Sequence, residues 1–245
     1  MNIQSLSALL AAIVTFAIGG SVLLRDRRQK SYQRFAGLCF TLFAWHILTF
    51  LAATLESDVI YQLSLVPAVV IPIASIRFFR PFLSDPRTVK PGAPVTPRWM
   101  MILAGGFLTA ILWSVVFRKG LPHRLPFALA LGAFVFGGLY ASMVIVYRKY
   151  RRTLQLVEKT RLVYLLWGGV LAITAAAGDY LQNMGVPFPS LGNVTTIIYM
   201  YFISQTLLRY RLLDLNELLG RMVVLATLVL VTLLACAYYA GLAAR

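Results

Sequence analysis

The chain has 245 residues, of which 60% are hydrophobic and only 13% charged, and its net charge is +15. A soluble domain carries roughly 25% charged residues. That deficit, with a mean hydropathy of +0.78, excludes an ordinary water-soluble fold and points to an all-α, polytopic membrane helix bundle whose first partner is the lipid bilayer. The basic residues lie in short clusters between apolar runs, not along one soluble face, which argues against nucleic acid as a partner.

Eight apolar stretches are long enough to cross a bilayer, which takes about 20 helical residues: 6–24, 35–55, 59–79, 99–117, 127–147, 162–185, 191–208 and 222–244. The first lacks the basic flank and cleavage site of a signal peptide, so it reads as an uncleaved span. The second holds His46 beside Trp45, expected to be buried and hydrogen-bonded to a neighbouring helix, with a sensing role as the sharper alternative. The third contains Pro67 and Pro72, which predict a kink. After it, residues 80–98 read RPFLSDPRTVKPGAPVTPR and hold five prolines, an extended linker and not a domain.

Small residues mark the later spans. Gly105 and Gly106 lie in the fourth, Ala133, Gly137 and Ala141 with Gly138 and Ser142 in the fifth, and Gly168, Ala172 and Ala176 in the sixth. In lipid, such residues let backbones approach closely, so they predict a compact bundle, with homodimerisation as the alternative. Asp179, Gln182 and Asn183, near the end of the sixth span, share one helix face at i, i+3 and i+4. An ionisable group in a span is costly, and this trio predicts a shallow ligand-sensing pocket open to the outside, unless Asp179 lies close enough to the surface to stay hydrated.

Lysine and arginine set the orientation. Segments 25–34, 77–98, 148–161 and 209–221 carry five, five, six and three, which is 19 of the chain's 23. These follow odd-numbered spans, so that face is cytoplasmic and the N-terminus is outside. The expected site is therefore the bacterial inner membrane, crossed many times. Cys39 and Cys236 sit at different depths and predict no disulfide. No His/Cys ligand cluster, Ser-His-Asp set, paired carboxylates or phosphate-cradling glycine loop can be assembled, so neither metal, cofactor nor enzyme activity is expected.

The segment RYRLLDLNELLGR, residues 209–221, places leucines on one face and Arg211, Asp214, Glu217 and Arg221 on another. Asp214 followed by Glu217 has capping-box spacing, so it reads as an amphipathic exit from the bilayer or as a plain turn between spans. Its RYRLLDL, together with RRTLQLVEKTRLVYLLWGGVLAI at 151–173, resembles the N-terminal seven-transmembrane region of bacterial sensor histidine kinases. The resemblance implies a sensor domain over 1–221 and an additional helix over 222–245. It also implies a two-component signalling role, in which the seventh span passes a rearrangement through Arg209, Arg211, Asp214, Glu217 and Arg221 to a cytoplasmic kinase or other partner. This chain has no phosphoacceptor or ATP-binding motif, so kinase chemistry would lie elsewhere and the chain reads as a stand-alone, truncated or split module. The competing expectation is an accessory subunit of a membrane complex. A small-solute transporter ranks last, because the polar groups are isolated.

Overall fold

A computed structural model describes residues 3–83, 96–117, 125–182 and 191–208. Every regular element among them is an α-helix: α1 (Ile3–Arg25), α2 (Lys30–Leu55), α3 (Asp58–Leu83), α4 (Arg98–Val116), α5 (Leu125–Arg152), α6 (Leu156–Gln182) and α7 (Gly192–Leu208). Helices α1 to α6 are each long and apolar enough to cross a membrane. α7 has 17 described residues, just under the about 20 of a full span. The chain is a multi-pass helical membrane bundle. The expected eighth span, 222–244, lies outside the described residues.

The helices overrun the apolar stretches at the basic end. α2 starts at Lys30, α5 continues through Arg148, Lys149, Arg151 and Arg152, and α6 already includes Glu158, Lys159 and Arg161. A backbone in lipid must satisfy its own hydrogen bonds, and the helix continues to do so into the headgroup layer while long cationic side chains reach water. Hydroxyls inside the spans fold back onto their own helix: Thr15 donates to the Ala11 carbonyl at 2.6 Å, Thr41 to Gly37 and Thr174 to Val170, both at 2.8 Å.

Turns are tight. α2 ends at Glu56 in the left-handed region (φ 47°), its N–H on the Ala52 carbonyl, and α3 starts two residues later. α3 runs as one helix through Pro67, Pro72 and Pro81. Pro72 fits against Gly138 of α5, where a Cβ would come within 2.6 Å of the proline Cβ.

Packing follows a closed circuit: α1 lies on α2, α2 on α3, α3 on α5, α5 on α6, α6 on α7, and α7 returns to α1. α4 sits outside this ring against α3, burying Met100, Ala104 and Ile111 against Leu65, Val69 and Leu131. Its other faces expose Trp99, Ile102, Leu103, Trp113 and Val116, as a lipid-facing helix does. The main core joins all six ring helices through residues such as Val22, Phe35, Phe78, Val146, Leu165 and Ile203.

Candidate functional site

Asp179 sits near the end of α6 and is engaged by α7. Its two carboxylate oxygens accept the backbone N–H groups of Leu191 (3.1 Å) and Gly192 (3.0 Å). A carboxylate at a helix N-terminus satisfies donors that have no partner within the helix and meets the positive end of the helix dipole. The approach is close enough to require glycine at 192, where a Cβ would stand 2.6 Å from Asp179 Oδ2 and 2.7 Å from the Ala176 Cα. Beside it, Asn193 Nδ2 donates to Ser7 Oγ at 2.8 Å and closes the ring between α7 and α1. Gln182 lies one turn beyond Asp179, and its Oε1 is buried without a hydrogen-bond partner among the described residues. Asn183 lies outside the described residues.

The ring encloses a cavity of about 120 Å³, lined from α2, α3, α5, α6 and α7. Of its seven hydroxyl-bearing lining residues, Thr49, Tyr61, Ser64, Tyr180 and Thr196 belong to the half of the bundle where α2 meets α3 and α6 meets α7, while Ser75 and Tyr199 lie deeper. Leu38, Phe79 and Met143 line it toward the basic end. No Asp, Glu, Lys, Arg or His is among its described lining residues. Helix α7 forms one wall through Thr196, Tyr199 and Met200.

At the basic end, α7 is held again. Tyr32 of α2 donates to the Leu207 carbonyl at 3.3 Å, and Arg161 of α6 donates to the Thr206 carbonyl at 3.2 Å. The Arg161 guanidinium also lies 5.4 Å from the Phe82 ring centroid, a cation–π contact. A more polar crevice of about 460 Å³ opens here, with Lys149, Glu158 and Arg161 in its lining. Lys149 and Glu158 pair across the α5–α6 junction at 3.6 Å.

Several expectations change on contact with the fold. His46 is buried, but the hydrogen bond expected to a neighbouring helix is not made at Nε2, which has no partner among the described residues. Its ring packs on Trp45 at 4.8 Å between centroids, and it does not line the cavity. In α5 the stripe Ala133, Gly137 and Ala141 faces outward, whereas Gly138 and Ser142 form the packed face, with Ser142 bonded to Ser75 of α3 at 2.8 Å. Gly105 and Gly106 likewise face open space. In α6 the small stripe does turn inward, and a Cβ on Gly168 would meet the Tyr199 ring at 3.3 Å. Arg209, Arg211, Asp214, Glu217 and Arg221 lie outside the described residues.

Sequence reasoning singled out Asp179 but not Gly192, Asn193, Tyr32 and Arg161. Each acts on a residue far away in the chain, and no local spacing signals such a partner. Compared with protein-family models, with curated proteins and with solved structures, the chain matches none.

Proposed function

We propose that the chain is a non-catalytic input module of a histidine-kinase-type signalling system. It would be set in the bacterial inner membrane with its N-terminus outside and relay a bundle rearrangement to a cytoplasmic partner. The observation that carries this reading is the situation of α7. One face of α7 walls the central cavity. Its first turn is held by Asp179 and Ser7, its last by Tyr32 and Arg161, and it leads into the charged segment 209–221. A ligand that favours one packing of this wall over another shifts the population of α7 positions and, with it, the exit segment. The lysine and arginine count, 19 of 23 on one face, supports placing that exit in the cytoplasm.

The alternative, an accessory subunit of a membrane complex, draws on the outward small-residue stripe of α5, a face that admits close helix approach. The two readings part at the DNA. The signalling reading expects a kinase-like or receiver-type reading frame directly downstream of codon 245. Neighbouring frames that encode only subunits of one membrane complex contradict it.

A further inference from the structure

The central cavity is small and uncharged, and most of its lining hydroxyls act as acceptors. Five of its seven hydroxyl-bearing residues among the described lining, Thr49, Ser64, Ser75, Tyr180 and Tyr199, spend their protons on the protein. Ser64 donates to the Tyr61 carbonyl at 2.7 Å, Tyr180 to the Ala128 carbonyl at 2.7 Å, Thr49 to the Trp45 carbonyl at 2.8 Å, and Tyr199 to the Leu165 carbonyl at 3.2 Å. Ser142 directs its proton to the Leu139 carbonyl at 2.7 Å, which makes Ser75 the donor in the 2.8 Å bond between the two serines. A hydroxyl that has given its one proton still has lone pairs. These five hydroxyls therefore present acceptors to the cavity, and a guest that brings a donor is matched by more of the lining than one that brings only acceptors.

Size and surface narrow the guest further. An apolar cavity of about 150 Å³ holds benzene, and this one, at about 120 Å³, sets a single ring as the upper limit for its guest. Trp45, Phe79 and Phe136 supply ring faces and edges, and Met143 and Met200 supply sulfur, both favourable to an aromatic guest. With no Asp, Glu, Lys, Arg or His among the described lining residues, an ionised guest would be buried without a charged partner, at high cost. We propose that this cavity is a binding site for a monocyclic, uncharged aromatic molecule carrying one hydroxyl donor, the phenol class. The inference rests on the input-module reading for its consequence, while binding itself is measured independently.

The test uses the full chain in lipid nanodiscs, titrated with 4-fluorophenol and followed by fluorine NMR, with empty nanodiscs reporting partition into lipid. The expected result is a bound resonance that saturates at one per chain and is displaced by phenol. Fluorobenzene, which lacks the donor, should bind at least about tenfold more weakly. Ala68→Leu, on α3, fills the cavity and should abolish the resonance; Ala176→Leu, on α6, does so from another wall if the first variant fails to insert. Absence of a saturable resonance, as when a lipid chain fills the space, overturns the proposal, and so does its persistence in an inserted filler variant. Equal binding of fluorobenzene overturns the donor match. Spin labels at Arg28 and Gln205 in the same nanodiscs read the relay separately. Phenol that binds without altering their distance leaves the site standing and removes the input-module reading. A distance that responds to another stimulus, with no phenol bound, does the reverse.

Discussion

Replacing Asp179 by Asn probes the junction between α6 and α7 with almost no change in shape. The carboxylate accepts two backbone N–H groups, at 3.1 and 3.0 Å. The amide offers one oxygen, and its NH₂ group turns a donor toward the second N–H. One hydrogen bond to a charged group is lost, about 1.5–3 kcal/mol, with about 0.3–1 kcal/mol more from the helix dipole. Asp179 is only half-buried, and water replaces part of the loss, so a destabilisation of about 2 kcal/mol is expected. Gly192→Ala sharpens the test. Its Cβ would meet both Asp179 Oδ2 and the Ala176 Cα, and overpacking of this kind costs about 1–3 kcal/mol. In an Asp179→Ala background only the contact with the Ala176 backbone remains, so Gly192→Ala should still destabilise, but by less. The assay is unfolding of the detergent-solubilised chain by SDS titration, with membrane insertion checked separately. An Asp179→Asn midpoint equal to the parent's would refute the capping role.

The remaining predictions concern packing and the far end of α7. Gly138→Ala should lower the unfolding midpoint because its Cβ meets Pro72 and Met100 at 2.6 and 2.8 Å, whereas Gly137→Ala, facing open space, should leave it unchanged. A double-mutant cycle on Ser75→Ala and Ser142→Ala should return a coupling of about 1 kcal/mol for their buried hydrogen bond; additive effects would show that the pair does not interact. Arg161→Met removes the donor to the Thr206 carbonyl and should speed amide hydrogen exchange in the last described turn of α7 by about tenfold, the equivalent of 1.4 kcal/mol. Unchanged exchange there would mean that Arg161 does not hold α7.

Much of the bundle was legible because lipid imposes a simple rule: apolar runs of span length become helices. The runs at 35–55 and 59–79 sit inside α2 and α3 for that reason. The ends were less legible, since Lys30 and Arg152 continue helices whose charge marks only where lipid stops. Side-chain facing within a span was harder still. Gly137 and Gly138 are neighbours with equal claims from spacing, and only the position of Pro72 on α3 selects the second. Periodicity groups Asp179 with Gln182 and Asn183, yet Asp179 engages Leu191 and Gly192 at the start of the next helix. The cavity left no sequence signal at all, because its walls are ordinary Leu, Ala, Met and Tyr brought together by ring closure.

The central claim is that the cavity's hydroxyl-richer half faces outside the cell and α7 runs from there toward the cytoplasm. With Cys39 and Cys236 replaced by Ala, single cysteines at Ser57 (the α2–α3 turn) and Arg28 (the α1–α2 turn) report the two ends. A membrane-impermeant maleimide added to intact cells should label Ser57→Cys at once and Arg28→Cys only after permeabilisation. Labelling in the opposite order would put the basic face outside and remove the route by which this helix could signal inward.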